Sequence, residues 1–432
     1  MRMKIFLDVI GCRLNQSEIE SIANTFRALG HTIVADPAQA DLAIVNTCAV
    51  TVKAAADSRK QLRKAAREGA GQVIATGCWA TLEPEAALAL PGISQVFTND
   101  QKDEIVPALT GMDLAVVTAL KLVREPIPGC HSRTRAFIKV QDGCDNHCTY
   151  CVTRLARGKS RSRGLAEIAR DVEAALAGGA KEIVLSGIQL GGWGRDLSHP
   201  EPLRALVEAL LRYPELSRLR LSSIEPWDFD PDMLALWQDP RLCRHFHIPL
   251  QSGSDRILRA MGRPIRQEDY VALVETVRHS IPDVAVTADV IAGFPGETEE
   301  DVQETLTLIG RIGFADGHVF TYSPRPGTTA VKMKEQVSPL VAKERNAALR
   351  AAFGRSGKAY RLRLVGQVLP VLWESSEKDS DGVWQLSGLT DTYVRVYASS
   401  PVGLWNEISP VRLVRLQPGR KAVVGEIVRK LD

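Results

Sequence analysis

At Gln141-Asp142-Gly143-Cys144-Asp145-Asn146-His147-Cys148-Thr149-Tyr150-Cys151 the sequence spaces three cysteines as C-x3-C-x2-C. The alternating apolar run at 136–140 predicts a strand that ends in this loop. Thiolates are soft ligands that suit iron–sulfur clusters or zinc. A structural zinc site needs four ligands, and His147 could supply the fourth. A [4Fe–4S] cluster held by three thiolates would instead leave one iron open to an external ligand.

Composition places this loop in a soluble protein. The chain has 432 residues, which predicts about three domains. The net charge of +3 is too small to indicate a nucleic-acid partner by itself, so such a partner must be argued from local patches. The start of the chain lacks a signal-peptide pattern, and no run approaches the ~18 apolar residues of a membrane helix. We therefore predict a cytoplasmic protein without a membrane partner, whose eight cysteines serve metal or redox chemistry rather than disulfides.

Residues 1–110 show strands alternating with helices, which predicts a parallel α/β domain. Strands are expected at 4–10, 31–34, 42–46 and 72–76, and helices at 16–29, with Ser17 as N-cap, and at 52–68. Cys12, Cys48 and Cys78 each follow the carboxyl end of a strand, and these ends share one edge of a parallel sheet. The pattern predicts a second three-cysteine site there, the alternative being small buried residues that only pack.

The rest of the chain divides into a linker at 111–133, a central domain at 134–362 and a terminal domain at 363–432. In the central domain a strand–helix pattern repeats six times and predicts an open (β/α)6 partial barrel, with catalytic residues at the carboxyl ends of its strands. Its strands are expected at 136–140, 182–186, 218–222, 245–250, 284–291 and 317–322. Five short strands in the terminal domain, at 367–373, 383–389, 393–397, 411–416 and 422–428, predict a small β-barrel. Cys130 and Cys243 have no ligand-like partners and are predicted to be a spare thiol and a packing residue.

Two three-cysteine sites in one chain resemble the methylthiotransferases of the radical S-adenosylmethionine (SAM) superfamily, and the resemblance runs over essentially the whole chain. The residues that carry it in the N-terminal domain are Gly11-Cys12-Arg13-Leu14-Asn15-Gln16, Asn46-Thr47-Cys48-Ala49-Val50-Thr51 and Thr76-Gly77-Cys78. The resemblance implies a [4Fe–4S] cluster on Cys144, Cys148 and Cys151 that supports reductive cleavage of SAM. It implies an auxiliary [4Fe–4S] cluster on Cys12, Cys48 and Cys78 that supplies the sulfur. The terminal domain resembles the TRAM domain, which binds RNA in related proteins.

The resemblance also implies which residues contact SAM. Tyr150 would lie near the adenine, and Ser186-Gly187 stands where the family has the glycine motif that contacts the SAM amino group. The remaining SAM or substrate contacts that it implies are Gln189, Glu225, Gln251 and Ser252. The alternative for such segments is turn and helix-capping chemistry without a ligand.

Two basic patches could bind RNA. One follows the cysteine loop at Arg157, Lys159, Arg161 and Arg163, and the other places Arg59 and Arg63 on one face of the 52–68 helix, although a charged helix face is often only solvated. With the 46–51 segment, the arginine run most resembles the group that acts on tRNA. That group converts N6-threonylcarbamoyladenosine at position 37, beside the anticodon, to its 2-methylthio derivative. The reaction would need a flavodoxin- or ferredoxin-like electron donor and a sulfur source.

Other functions remain open at this point. The chain could act on another tRNA adenosine or on a ribosomal protein aspartate. It could also transfer a plain methyl group, or be a zinc-containing RNA-binding protein without enzymatic activity.

Overall fold

The computed structural model describes residues 2–128 and 134–428. These residues form an N-terminal α/β domain, a central α/β domain and a C-terminal closed β-barrel, which confirms the predicted fold class. The prediction for Cys130 lies outside the described residues. No helix of the described chain is both long and apolar enough to cross a membrane.

The N-terminal domain is built on a five-stranded parallel sheet of order β2-β1-β3-β4-β5. Its strands are β1 Lys4–Val9, β2 Thr32–Val34, β3 Leu42–Thr47, β4 Gln72–Gly77 and β5 Ile93–Phe97. Its helices are α1 Arg13–Ala28, α2 Val52–Arg67, α3 Cys78–Leu82, α4 Pro84–Leu88, α5 Ile105–Thr110 and α6 Leu114–Thr118. Every residue of β3 is buried, as its central place in a parallel sheet requires.

Helix α1 begins earlier than the sequence predicts, at Arg13, with Cys12 in the N-cap position. Ser17, the predicted cap, lies inside the helix. Its hydroxyl oxygen accepts the backbone N–H of Lys139 at 2.9 Å, so it joins the N-terminal domain to the central domain. The predicted start at residue 16 was wrong: the helix begins at Arg13, and the Ser17 hydroxyl makes a contact between domains instead of a helix cap.

The central domain carries six parallel strands that follow one another in chain order, as predicted for an open partial barrel. A three-stranded sheet of order β10-β9-β6 and one of order β11-β12-β13 are joined by parallel bridges from Leu219 to Leu242 and from Ser223 to His247. A two-stranded antiparallel sheet, β7–β8, is formed by the segment of chain that connects β6 to β9. The strands are β6 Arg135–Lys139, β7 Gln141–Asp142, β8 Arg161–Ser162, β9 Glu182–Ser186, β10 Arg218–Leu221, β11 His245–His247, β12 Ala285–Ala292 and β13 Asp316–Thr321. The helices are α7 Thr153–Arg157, α8 Leu165–Ala177, α9 Leu203–Leu211, α10 Asp255–Ala260, α11 Gln267–Ser280, α12 Glu299–Ile312 and α13 Pro339–Leu364.

The C-terminal domain is the predicted five-stranded barrel, closed in the order β14-β15-β16-β18-β17. Its strands are β14 Val368–Lys378, β15 Trp384–Thr390, β16 Arg395–Ser400, β17 Ile408–Leu416 and β18 Ala422–Ile427. Tyr393, predicted to lie in a strand, instead sits in the turn between β15 and β16 with a left-handed φ of 64°.

Buried arginines of β10 fasten this barrel to the central domain. Arg218 donates to the carbonyl oxygen of Pro370 at 2.6 Å, and Arg220 donates to that of Asp391 at 3.0 Å. The N-terminal domain reaches the same junction, because Arg13 donates to the hydroxyl of Tyr393 at 2.7 Å. Side chains of all three domains therefore meet in one place.

Candidate active site

The first three-cysteine set lies at the carboxyl edge of the N-terminal sheet. Cys12 follows β1, Cys48 follows β3 and Cys78 follows β4, and these three strands are neighbours. Gly11 shows how closely the loops approach one another. It adopts a φ of +114°, and a Cβ at this position would stand 2.9 Å from the sulfur of Cys48. Only glycine therefore lets the Cys12 loop pack against Cys48.

Each cysteine of this auxiliary set has a polar neighbour that orients it. The thiol of Cys12 donates to Asn15 Oδ1 at 3.7 Å, and Asn99 Nδ2 donates to the sulfur of Cys78 at 3.7 Å. The backbone N–H of Cys48 donates to the hydroxyl of Ser58 at 2.9 Å. The pKa of the Cys48 thiol is raised to about 11, chiefly by burial and to a smaller degree by the nearby Cys78 and Cys12. The Cys48 thiol loses its proton readily only when a bound cation replaces the missing water.

The second set lies on the loop between β7 and α7. Gly143 opens the loop with a φ of +68°, and a Cβ there would come within 1.8 Å of the carbonyl oxygen of Lys159. The backbone N–H of Cys144 donates to the carbonyl of Gly158 at 3.1 Å, and that of Thr149 donates to Met261 at 2.9 Å. The loop is thus held at both ends, and its cysteines are half-buried.

Each set offers three thiolates, a donor set that suits an iron–sulfur cluster. The pKa of Cys144 is raised to about 11, chiefly by burial. The neighbouring thiols of Cys151 and Cys148 contribute to this rise, so they lie within electrostatic reach of Cys144. Yet nowhere in residues 2–128 and 134–428 do three His, Cys, Asp or Glu side chains converge tightly enough to hold one metal ion. A cubane cluster binds each thiolate at a different iron, so its ligands stand apart. His147, the fourth zinc ligand considered from sequence, is exposed.

Helix α7 connects the two cysteine sets. It begins two residues after Cys151 and ends at Arg157. The carbonyl of Ala156 accepts from Asn99 Nδ2 at 2.6 Å, and Arg157 donates to Asn15 Oδ1 at 2.6 Å. Because Asn99 and Asn15 are the neighbours of Cys78 and Cys12, one short helix positions the residues around both sets.

The predicted RNA contact of Arg157 is wrong. Its guanidinium is 1% exposed and pairs with Glu18 at 2.9 Å and with Asp142 at 2.8 Å. Glu18 is itself buried and also pairs with Lys102 and Lys139. A phosphate cannot reach a guanidinium whose donors already serve buried carboxylates. Arg157 therefore joins the N-terminal and central domains.

The other predicted RNA contacts are more accessible. Lys159, Arg161 and Arg63 are exposed, whereas Arg163 is half-buried. Arg163 pairs with Asp171 at 2.7 Å and donates to the carbonyl of Lys139. Arg59 stacks over the ring of Trp79 with 5.6 Å between guanidinium and centroid.

Two of the predicted SAM contacts, Tyr150 and Glu225, lie beside the second set. Glu225 pairs with Arg263 at 2.7 Å, and the guanidinium of Arg263 stacks over Trp227 at 4.6 Å from the ring centroid. The hydroxyl of Tyr150 is 3.5 Å from Arg263. Burial raises the pKa of Cys148; the charge of Arg263 lowers it, and that of Glu225 raises it. The two predicted SAM residues, Tyr150 and Glu225, thus lie around the cluster loop.

The remaining predicted SAM contacts lie at the ends of neighbouring strands. Gln189 accepts the backbone N–H of Asp145 at 3.2 Å and donates to Asp228 at 3.0 Å, so its amide positions the cluster loop. Gln251 adopts a left-handed φ of 71°. Ser252 is buried, and its hydroxyl accepts the N–H of Ser254 at 3.2 Å. SAM contacts by Gln251 and Ser252 stay predictions.

A cavity of about 530 Å³ lies where the three domains meet. Cys12 of the auxiliary set and the predicted SAM motif Ser186-Gly187 both line it, and Tyr393 lines it from the barrel. Its volume lies within the range of small-molecule sites. The cavity therefore brings Cys12 of the N-terminal cysteine set and the predicted SAM motif of the central domain to one space.

Several residues of this cavity were missed from the sequence. His247 pairs with Asp289 at 3.2 Å, and His245 stacks on Tyr393 with 4.8 Å between centroids. Both histidines lie 3.0 Å from Thr287 Oγ1. Their spacing of two along a strand was a usable signal, because alternate residues of a strand share a face.

Comparisons with known proteins indicate the class of enzyme to which the chain belongs. Residues 138–309 match the model of the radical SAM superfamily, and residues 4–98 match that of uncharacterized protein family UPF0004. Among solved structures, the radical SAM methyltransferase TsrM from Kitasatospora setae superposes with a TM-score of 0.54 at 16% identity, over 73% of this chain and 72% of that chain. The fold and the three-cysteine loop together define a radical SAM enzyme.

Relatives of known name narrow the class to a family. The chain is 39% identical to the threonylcarbamoyladenosine tRNA methylthiotransferase MtaB of Thermotoga maritima, over 85% of this chain and 86% of that protein. It is 32% identical to MtaB of Bacillus subtilis and 32% identical to tRNA-2-methylthio-N(6)-dimethylallyladenosine synthase of Paracoccus denitrificans, in both cases over 98% of this chain and 96% of the relative. The chain belongs to the radical SAM methylthiotransferase family. The cofactors of this family are SAM and two [4Fe–4S] clusters.

Proposed function

We propose that the protein is a tRNA methylthiotransferase that converts N6-threonylcarbamoyladenosine at position 37 to its 2-methylthio derivative. Relatives act on adenosines with two different N6 substituents, the polar threonylcarbamoyl group and the apolar dimethylallyl group. The choice between these substrates therefore depends on whether the residues at the site suit a polar or an apolar N6 substituent.

The observation that carries it is the polarity of the three-domain cavity. Ser222 and His245 line the cavity and are buried, with 8% and 3% exposure. Within the described chain, Ser222 Oγ and His245 Nδ1 have no hydrogen-bond partner. Leaving such a buried group unpaired costs about 1–3 kcal/mol, and a dimethylallyl group could not pair it. The urea, hydroxyl and carboxylate of a threonylcarbamoyl group could.

The proposed roles follow from where the residues lie. The cluster that cleaves SAM would be held by Cys144, Cys148 and Cys151. The auxiliary cluster beside the cavity would be held by Cys12, Cys48 and Cys78. When bound, the cofactors supply radical chemistry at an unactivated adenine C–H and the sulfur, which no side-chain acid or base provides. The Glu225–Arg263 pair and Trp227 would order the SAM pocket. The cavity walls would orient the base and exclude water.

We further propose that the exposed Lys159, Arg161 and Arg63 neutralise tRNA phosphates. A flavodoxin- or ferredoxin-like protein would donate the electron, and a separate sulfur source would restore the auxiliary site after turnover.

The test is nucleoside mass spectrometry of tRNA incubated with the anaerobically reconstituted enzyme and SAM. The expected product is 2-methylthio-N6-threonylcarbamoyladenosine, with dimethylallyladenosine tRNA and the ribosomal protein left unmodified. Cys48→Ala should still release 5′-deoxyadenosine from SAM but form no methylthio product, whereas Cys148→Ala should lose both. A methylthio product on dimethylallyladenosine tRNA alone would overturn the substrate assignment. A methylthio product from the Cys48→Ala protein would overturn the role of the auxiliary set.

A further inference from the structure

Arg13 lies beside Cys12 at the three-domain cavity, and no carboxylate of the described chain pairs with its guanidinium. It is the residue after Cys12, opens helix α1 and lines the three-domain cavity. Its guanidinium donates to the hydroxyl of Tyr393 at 2.7 Å and stacks over the rings of Tyr393 and Phe137 at 5.4 and 5.8 Å from their centroids. Among the ion pairs of residues 2–128 and 134–428, none involves Arg13. Its charge thus has no carboxylate within 4 Å.

The two other guanidiniums around Tyr393 are neutralised. Arg135 pairs with Glu374 at 2.7 Å, and Arg220 pairs with Glu182 at 2.7 Å. Burial lowers the pKa of Arg13; Tyr393 raises it, the charges of Arg135 and Arg220 lower it, and the more weakly acting Glu182 raises it. The region around Arg13 therefore has an excess of positive charge that an anionic ligand would balance.

The acidic groups of the cavity do not fill this role. Asp316 pairs with Lys421 at 2.7 Å, and Asp289 pairs with His247 at 3.2 Å. Asp289 Oδ1, Ser222 Oγ and His245 Nδ1 line the same space and have no hydrogen-bond partner within the described chain. The oxygen of Asp289 can accept a hydrogen bond from an N–H or O–H group of a ligand. A guanidinium without a carboxylate partner, together with these unsatisfied polar groups, suits a small polar ligand that carries a negative charge.

The proposed substrate carries a carboxylate that would lie close to Arg13 when the adenine is in the cavity. In the six-membered ring of adenine, C2 and C6 flank the same nitrogen, N1, so a substituent on N6 lies on the same edge as C2. A group that transfers to C2 from the Cys12 side therefore works beside the N6 substituent. The threonylcarbamoyl substituent ends in a carboxylate, which matches the planar fork of a guanidinium.

We propose that Arg13 binds the carboxylate of the threonylcarbamoyl group and thereby selects this adenosine over those with neutral N6 substituents. The inference rests on the proposed function and names the residue that sets its specificity. Arg13 is a specificity-determining residue in this role, because it would touch the substrate without touching the reacting carbon.

The experiment measures binding of anticodon stem-loop RNAs to the reconstituted enzyme with SAM. Three RNAs carry threonylcarbamoyladenosine, its methyl ester or unmodified adenosine at position 37. Wild-type enzyme should bind the acid roughly tenfold to a hundredfold more tightly than the ester, the range of a charge-assisted hydrogen-bonded pair. Arg13→Gln should bind acid and ester equally, and Arg13→Lys should restore part of the preference.

Lys421→Gln is the matched control, since it removes a cavity-lining cation that already pairs with Asp316. It should keep the full preference for the acid. Iron and sulfide counts on each variant show whether the cluster beside Cys12 is intact.

Two results would overturn the inference. One is equal binding of acid and ester by the wild-type enzyme, a comparison that needs no variant to fold. The other is an Arg13→Gln enzyme that keeps its clusters and its preference, or that weakens for all three RNAs equally. Failure of the wild-type enzyme to methylthiolate the acid RNA would instead overturn the proposed function.

Discussion

Replacing Arg157 by alanine should loosen the junction between the N-terminal and central domains. The guanidinium of Arg157 is 1% exposed and its partner Glu18 is 3% exposed, so neither group has water to replace the other. Removing one partner of a buried ion pair costs about 3–5 kcal/mol. In the Arg157→Ala variant, Glu18 would still pair with Lys102 and Lys139. We therefore expect the loss of free energy to lie at the lower end of that range. A loss of about 3 kcal/mol is roughly a hundredfold change in an opening equilibrium.

Hydrogen exchange on the anaerobically prepared protein is the suitable assay, because a chain of three domains need not unfold in one step. In the Arg157→Ala protein, the protection of backbone amides against exchange should fall by about a hundredfold in α1 and α7. It should stay unchanged in the C-terminal barrel. Arg311→Ala is the control. Arg311 pairs with Glu268 at 2.6 Å, but both side chains are about half exposed or more, so its loss should leave exchange unchanged.

The reasoning fails if Arg157→Ala keeps full protection and instead binds tRNA more weakly with a smaller salt dependence. That result would restore Arg157 to the RNA surface predicted from the sequence. Arg157→Lys separates charge from geometry. Lysine keeps the charge but cannot serve Glu18, Asp142 and Asn15 together, so protection should recover only in part.

Three further outcomes are expected. Gly143→Ala should abolish reductive SAM cleavage, measured as 5′-deoxyadenosine, because a Cβ would stand 1.8 Å from the carbonyl of Lys159; cleavage at the normal rate would contradict the loop geometry. Lys159→Gln and Arg161→Gln should each lower the slope of log affinity for tRNA against log salt by roughly one, and an unchanged slope would remove them from the interface. Burial raises the pKa of Glu182, but Arg220 and its neighbours hold it at about 2, below the ordinary 4.5. The contribution of ionised Glu182 to the free energy of unfolding is therefore complete above pH 4.5 and is lost as the pH falls toward 2. Glu182→Gln should flatten the curve of unfolding free energy against pH in this range. An unchanged slope would contradict the pairing of Glu182 with Arg220.

Much of the fold followed from local sequence signals. The five strands of the C-terminal barrel and the six of the central domain carry apolar patterns that need no distant information. The cysteines at 12, 48 and 78 could be grouped because parallel strands end at a shared edge. Strand β5 escaped prediction, since its residues at 94 and 95 are exposed and weaken the apolar pattern.

Features that depend on contacts distant in sequence could not be predicted. Arg157 stands in a basic run, and only the fold brings Glu18 to it from 139 residues away. The side-chain amide of Gln189 contacts Asp145 and Asp228 in other loops, and these contacts could not be foreseen from the sequence; its SAM contact stays a prediction. Arg13 was quoted only as part of a cysteine motif, because its relation to Tyr393 spans 380 residues.

That last contact has a consequence for how the protein is made. The ribosome releases the N-terminal domain with Arg13 first, and Tyr393 follows only when nearly the whole chain has been synthesised. A chain that stops after α13 contains both cysteine sets but lacks one wall of the cavity. Such a fragment leaves the space beside Cys12 without the wall that carries Tyr393. Only completion of the barrel during synthesis gives this cavity its last wall.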